Sequence, residues 1–157
     1  MIEISNVSKR YGQFQALNGC SAKIHRGEVV VVCGPSGSGK STLIKCINGL
    51  ESIDSGTIDI DGDRLGASGT DMSRLRARVG MVFQNFELFP HLTILRNLTL
   101  AQEKVLKRNA DQSQAKARAL LDRVGLSAHI DKFPAQLSGG QQQRVSVARS
   151  MVNDMNP

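Results

Sequence analysis

Apolar residues alternate with polar ones near the start of the chain and fall at helical intervals towards its end. Ile2, Ile4 and then Val7 predict a first strand, residues 17–24 alternate loosely as a second, and Tyr11-Gly12 lies at the turn between them. Glu28-Val29-Val30-Val31-Val32-Cys33 is a continuous, mostly β-branched run, the pattern of a strand buried on both faces. A glycine- and serine-rich loop follows it. Residues 41–48 then place Leu43, Ile44 and Ile47 on one helical face, with Gly49 as the stop signal. Thr57-Ile58-Asp59-Ile60-Asp61-Gly62 alternates into a turn, as the first half of a hairpin does. Residues 71–78 read as a helix, and Val79-Gly80-Met81-Val82-Phe83 as another buried strand ending at Gln84.

Beyond Gln84 the texture changes. From Thr93 to Gly125 the apolar residues Leu95, Leu98, Leu100, Ala117, Leu120, Leu121 and Val124 are spaced for helices. Residues 141–152 form a last helix by the spacing of Val145, Ala148 and Val152. A strand-rich part followed by a helical part predicts a sheet core with a helical subdomain attached.

Composition narrows the class of protein. A chain of 157 residues, 40% hydrophobic and 22% charged, can bury a core without disulfides. Its longest fully apolar run, residues 29–33, is far below the roughly 20 residues that span a bilayer. The N-terminus alternates instead of presenting a basic and then an apolar stretch, so neither a membrane span nor a signal peptide is expected, and the protein is placed in the cytoplasm. Cys20, Cys33 and Cys46 are evenly spaced without a Cys-x-x-Cys pair, which reads as small buried hydrophobes rather than zinc ligands. The net charge of +6 raises the question of nucleic acid or another anionic partner, yet aromatics at 4%, with no Trp and one Tyr, argue against a base-stacking platform. The charge is also diffuse: residues 1–80 hold 10 basic and 8 acidic groups, and residues 81–157 hold 10 and 6.

Specific chemistry enters with Gly34-Pro35-Ser36-Gly37-Ser38-Gly39-Lys40-Ser41, followed by Thr42, a full match to Gly-x-x-x-x-Gly-Lys-[Ser/Thr]. Glycines let the backbone curl so that successive N–H groups face phosphate oxygens, and the helix that follows adds its positive end. Lys40 would reach the β- and γ-phosphates and Ser41 would ligate Mg2+. The competing reading, a plain Gly/Ser connection between strand and helix, loses because the flanking strand and helix are both predicted.

Leu137-Ser138-Gly139-Gly140-Gln141 supplies two more glycines before a helix, a second open N-terminus with free N–H donors. Alone it reads as a capped loop. Together with the glycine loop it resembles the signature of the nucleotide-binding subunits of ABC transporters, and the resemblance runs over essentially the whole chain. It implies a P-loop NTPase core of α/β class, with an N-terminal antiparallel β part and an attached α-helical subdomain. The expected divisions are residues 1–84 for the β-rich and P-loop core, 85–136 for the helical subdomain, and 137–157 for the signature and its helix.

The resemblance also implies a head-to-tail dimer in which Ser138, Gly139, Gly140 and Gln141 meet ATP held by the second subunit. Tyr11 takes the place of the adenine-stacking aromatic, the alternative being a half-buried hairpin residue. Gln84 takes the place of the glutamine that reaches the Mg2+ shell or the attacking water, the alternative being a solvated loop residue. Cys46-Ile47-Asn48-Gly49-Leu50-Glu51 and the segment from Gln84 through Pro90-His91-Leu92-Thr93 look like the forms found in importers of polar amino acids. The latter segment would dock on the transmembrane permease, itself served by a solute-binding protein, and His91 would have a structural or coupling role there. Such a subunit is peripheral to the cytoplasmic face of the membrane.

Family members continue into an apolar strand ending in Asp-Glu, then a switch histidine. These elements are absent from the 157 residues, and Asp154 follows no apolar strand. The expectation is therefore a chain incomplete at its C-terminal side that binds ATP weakly at best and hydrolyses it negligibly, leaving the strands at residues 29–33 and 79–83 with an exposed edge. The alternative is a non-hydrolytic ATP-binding module or a pseudogene fragment. An ATPase acting on DNA or ribosomes is disfavoured by the docking-type segment.

Overall fold

The computed structural model describes residues 1–152; residues 153–157, with Asp154 among them, lie outside the described residues. The chain forms two compact units, Met1–Arg76 and Ala77 onward.

In the first unit β1 (Ile2–Tyr11), β2 (Phe14–Ile24), β3 (Ser55–Ile60) and β4 (Asp63–Arg64) form one antiparallel sheet in the order β2-β1-β3-β4. Ile4 stands opposite both Ala22 and Ile58, so the alternating isoleucines stack on one face. Strict alternation would send Ile4 and Val7 to opposite faces, yet both are buried. The register shifts between them, where Asn6 adopts φ 50°, and this bulge brings Val7 back to the core side. Gly56 is required against the bulge, because a Cβ there would lie 2.4 Å from the Asn6 carbonyl oxygen. Cys46 of helix α1 (Lys40–Ile47) and Leu75 of α2 (Met72–Arg78) are also buried. Asp71 caps α2, accepting from the N–H groups of Ser73 and Arg74.

The second unit is built on α3 (Ile94–Lys104), α4 (Ala110–Arg123) and α5 (Gly139–Met151) around Leu98, Leu121 and Val145. Thr93, Asn109 and Ser138 accept the first-turn N–H bonds of the three helices. Polar side chains are also buried here. Asn97 exchanges hydrogen bonds with both the N–H and the carbonyl of Phe89 and donates to Leu92 and Thr93, fixing the chain ahead of α3. Gln102 donates to Leu98 and Ser113 and accepts from Arg108. Among the described residues no helix is long and apolar enough to cross a membrane.

Several expectations need correction. Residues 28–33 form no strand, and Val29 and Val31 are 89% and 77% exposed. A buried strand needs hydrogen-bonded neighbours on both edges, and among the described residues none pairs with this run. The question of an exposed strand edge therefore does not arise for it. Residues 79–83 are likewise not a strand. Gly80 lies so close to α5 that a Cβ would come 2.6 Å from the Ser150 carbonyl oxygen, a packing of chain against helix that replaces a sheet ladder. Cys46 is buried as expected, but Cys33 is exposed with the unpaired run and Cys20 is half-buried. The last helix begins at Gly139, not Gln141, so the signature glycines form its first turn. The apolar stripe of α1 is shallower than its spacing implied, with Ile44 exposed and Cys46 the buried residue.

Candidate functional site

The glycine loop leads from the exposed valine run into α1. Gly34, Gly37 and Gly39 all have positive φ. At Gly39 the requirement is steric as well: a Cβ would lie 2.3 Å from the Ala16 carbonyl oxygen and 3.1 Å from Leu17 Cδ2. Only glycine lets the loop close onto β2 at this point. Gly39 is also the N-cap of α1, with no side-chain cap and no acid in the first turn, so the helix presents its N–H donors and positive end to the loop.

Lys40 folds back across this loop. Its Nζ donates to the carbonyls of Gly34 at 2.8 Å and Pro35 at 2.7 Å, with Ser38 Oγ at 3.4 Å. The ammonium is thus held among acceptors directly beside the open N-terminus. Two sources of positive potential converge there without a compensating carboxylate in the first turn, an arrangement that suits a polyanion.

A groove of about 540 Å³ runs from the loop to the β1–β2 hairpin. Residues 36–42 line one side, including Ser36, Gly37, Ser38, Gly39, Ser41 and Thr42; Tyr11, Phe14 and Ala16 line the other. Sequence reading placed Tyr11 and the loop in one site, and the fold brings them together. Partial burial and the charge of Glu51 raise the Tyr11 phenol above its ordinary value, while a hydrogen bond with Thr42 opposes them. The Lys9 ammonium lies 5.4 Å from the ring centroid. Lys9 is itself held by Ser52 and Asp54, and the Arg10 N–H donates to the same carboxylate at 2.6 Å. Phe14 and Glu51 were missed in the sequence. The signal for Phe14 was its place two residues after the hairpin turn begins, which makes it the cross-strand partner of Tyr11.

A divalent cation would find few protein ligands here. Among the described residues no group of three or more His, Cys, Asp or Glu could hold a metal. Ser41, exposed in the first turn of α1, offers a hydroxyl, and phosphate oxygens and water would complete the shell.

In the second unit, Ser138 and Gln141 close a capping box. Ser138 Oγ accepts from the Gln141 N–H at 3.4 Å, and Gln141 Oε1 accepts from the Ser138 N–H at 2.9 Å. Gly139 and Gly140 are exposed, and open space surrounds the place where a Gly140 Cβ would stand. Gln84 is exposed in a turn. Directly after it, Phe86 and Glu87 have φ of 62° and 49°, rare for such residues. Helix α5 holds them in place. Ser146 Oγ donates to the Phe86 carbonyl, and Arg149 donates to the carbonyls of Phe86 and Glu87 at 3.1 and 2.6 Å. Burial lowers the Arg149 guanidinium from its ordinary value, with the Glu87 charge opposing.

Comparison with known proteins supplies the context for this geometry. The family model described as ABC transporter matches residues 17–156. The glutamate/aspartate import ATP-binding protein GltL of Escherichia coli (strain K12) is 64% identical over 154 residues, covering 98% of this chain and 64% of the relative. The glutamine transport ATP-binding protein GlnQ of Bacillus subtilis (strain 168) is 49% identical over 151 residues, covering 96% of this chain and 62% of the relative. The chain thus spans just under two thirds of the length of these relatives. Among solved structures, the dimeric, post-hydrolysis form of the ATP-binding cassette MJ0796, bound to ADP and Pi, superposes with a TM-score of 0.86 at 34% identity. That match covers 98% of this chain and 70% of the cassette.

Proposed function

The chain belongs to the ABC transporter family, and on that premise we propose that it is the ATP-binding part of an importer of polar amino acids. The observation that carries the reading is the single groove in which the glycine loop, the uncapped N-terminus of α1, Lys40 and Tyr11 meet. Its two ends match the two ends of a nucleotide: donors and positive charge for phosphates, an aromatic face for the base. The amino acid class follows from the named activities of the relatives, glutamate/aspartate import and glutamine transport.

In this reading Gly34 to Thr42 cradle the phosphates and Lys40 neutralises charge at the terminal ones. Mg2+, when bound, supplies further charge neutralisation, with Ser41 and Gln84 as its protein contacts. Ser138, Gly139, Gly140 and Gln141 serve the nucleotide of a second ATP-binding subunit, in keeping with the dimer seen for MJ0796. Residues 85–93 dock on a transmembrane permease, with a solute-binding protein as a more distant partner. The subunit sits on the cytoplasmic face of the membrane.

Phosphoryl transfer needs a group that orients the attacking water in addition to the cradle. The 157 residues supply the cradle, and we assign them binding with negligible turnover. Binding of ATP measured by calorimetry on the 157-residue chain should weaken at least about tenfold in Lys40→Ala, the scale of one lost charge-assisted contact. Equal affinity in the variant would remove the phosphate role of Lys40. Robust Mg2+-dependent hydrolysis that disappears in Lys40→Ala would overturn the assignment of negligible turnover.

A further inference from the structure

The β1–β2 hairpin closes on the pair Tyr11 and Phe14, which stand directly opposite one another in the antiparallel register. Directly paired residues project from the same face of a sheet with their Cβ atoms roughly 5 Å apart. Both rings therefore enter the groove together, and both line it. The two are not equivalent. Tyr11 carries a hydroxyl that can meet the polar groups of Thr42 and Glu51, and the Lys9 ammonium lies over its ring, 5.4 Å from the centroid. Phe14 has no polar handle and is 58% exposed, more than Tyr11, Phe89 or Phe133. An exposed phenylalanine at the mouth of a groove is apolar surface that a ligand can cover.

Resting on the nucleotide reading above, the geometry points to Phe14 as a second base-contacting residue that sets the preference for purines. A base stacked on the open face of Tyr11 extends towards its cross-strand neighbour. A two-ring purine is wide enough to contact both side chains, whereas a one-ring pyrimidine on Tyr11 leaves Phe14 in water. Phe14 thus favours purine nucleotides through buried apolar area and edge contact, without a hydrogen bond to the base.

The test measures equilibrium binding of ATP, CTP and inorganic tripolyphosphate to the 157-residue chain and to Phe14→Ala, Phe14→Tyr and Tyr11→Ala. Tripolyphosphate reports the cradle without the base. Phe14→Ala should weaken ATP about 5- to 10-fold, at the lower end of base–aromatic stacking effects. It should leave tripolyphosphate unchanged and shrink the ATP-to-CTP preference, while Phe14→Tyr restores all three. ATP affinity unchanged in Phe14→Ala overturns the inference, and so does a parallel loss of ATP and tripolyphosphate, which would report a disturbed loop. A selective ATP loss in Tyr11→Ala with Phe14→Ala silent removes Phe14 alone and leaves the nucleotide reading intact. If the parent chain binds neither ATP nor tripolyphosphate, the nucleotide reading falls and the inference with it.

Discussion

The two glycine-rich helix starts look alike in sequence and differ in physical state. At α1 the N-cap is Gly39, which has no side chain, and no acid occupies the first turn, so the helix end offers its donors outward. At α5 the N-cap is Ser138, and the reciprocal bonds with Gln141 satisfy two backbone donors internally. One end is prepared for an anion by its own sequence. The other is closed on itself and exposes two glycines whose value lies in how near something else can come. Glycine thus does opposite work in the two places. In the first unit it lets the loop approach its own sheet, and in the second it keeps a helix end slim.

The sharpest test of that contrast is to add one methyl group at each site. Gly39→Ala places a Cβ against the Ala16 carbonyl at a φ of +86°, where L-residues are already strained. Left-handed strain and overpacking together cost about 3 kcal/mol, enough to drive the loop off β2. Tripolyphosphate affinity should fall about 100-fold. Gly140→Ala meets open space in an ordinary helical turn, and its methyl should stabilise α5 by up to about 0.5 kcal/mol. Calorimetric titration for the first variant and urea unfolding for the second measure the two effects. Similar small effects at both positions would mean that the loop does not depend on its seat against β2.

Much of this was legible because it is local. Alternation in Ile2, Ile4, Ile58 and Ile60 and the helical spacing around Leu98, Leu120 and Leu121 report faces that neighbouring residues determine. The glycine loop is a short contiguous motif, and the pattern Ser138-x-x-Gln141 spells the capping box outright. The misreadings share a cause. A valine run becomes a strand only when other strands pair with it, and that property belongs to the assembled sheet rather than to the run. Asn97 and Gln102 escaped a search for apolar periodicity because they are buried by hydrogen bonding, each to several backbone groups. Phe14 required the hairpin register, which pairs it with Tyr11.

A smaller effect probes the closed end. Ser138→Ala removes the acceptor for the Gln141 N–H and should cost about 1 kcal/mol in urea unfolding. Gln141→Ala removes the return bond to the Ser138 N–H and should cost less, because that exposed donor can turn to water. The double variant should cost little more than Ser138→Ala, since the two bonds support one another. Additive costs would show two independent caps and would weaken the contrast with α1.

The smallest effect separates the units by what holds their carboxylates. Glu103 is lowered from its ordinary value chiefly by its hydrogen bonds to Arg96, whose guanidinium Nη1 lies 2.7 Å from both oxygens, with the Arg96 charge adding to them. Asp54 is lowered first by the backbone N–H of Arg10 and only then by Lys9. A carboxylate depressed in the folded state contributes stability that is present above its unfolded pKa, near 4. That contribution is lost as pH falls through the lower folded value. Removing the side-chain partner should therefore act unequally. Arg96→Met takes away the main support of Glu103 and should flatten the acid limb of the stability profile below about pH 5. Lys9→Met leaves the Arg10 N–H on Asp54, so it should lower stability across the whole pH range while keeping most of the acid slope. Urea midpoints from pH 7 down to the acid transition give both slopes. An acid limb flattened as much by Lys9→Met as by Arg96→Met would place the support of Asp54 in its side-chain partner and erase the difference.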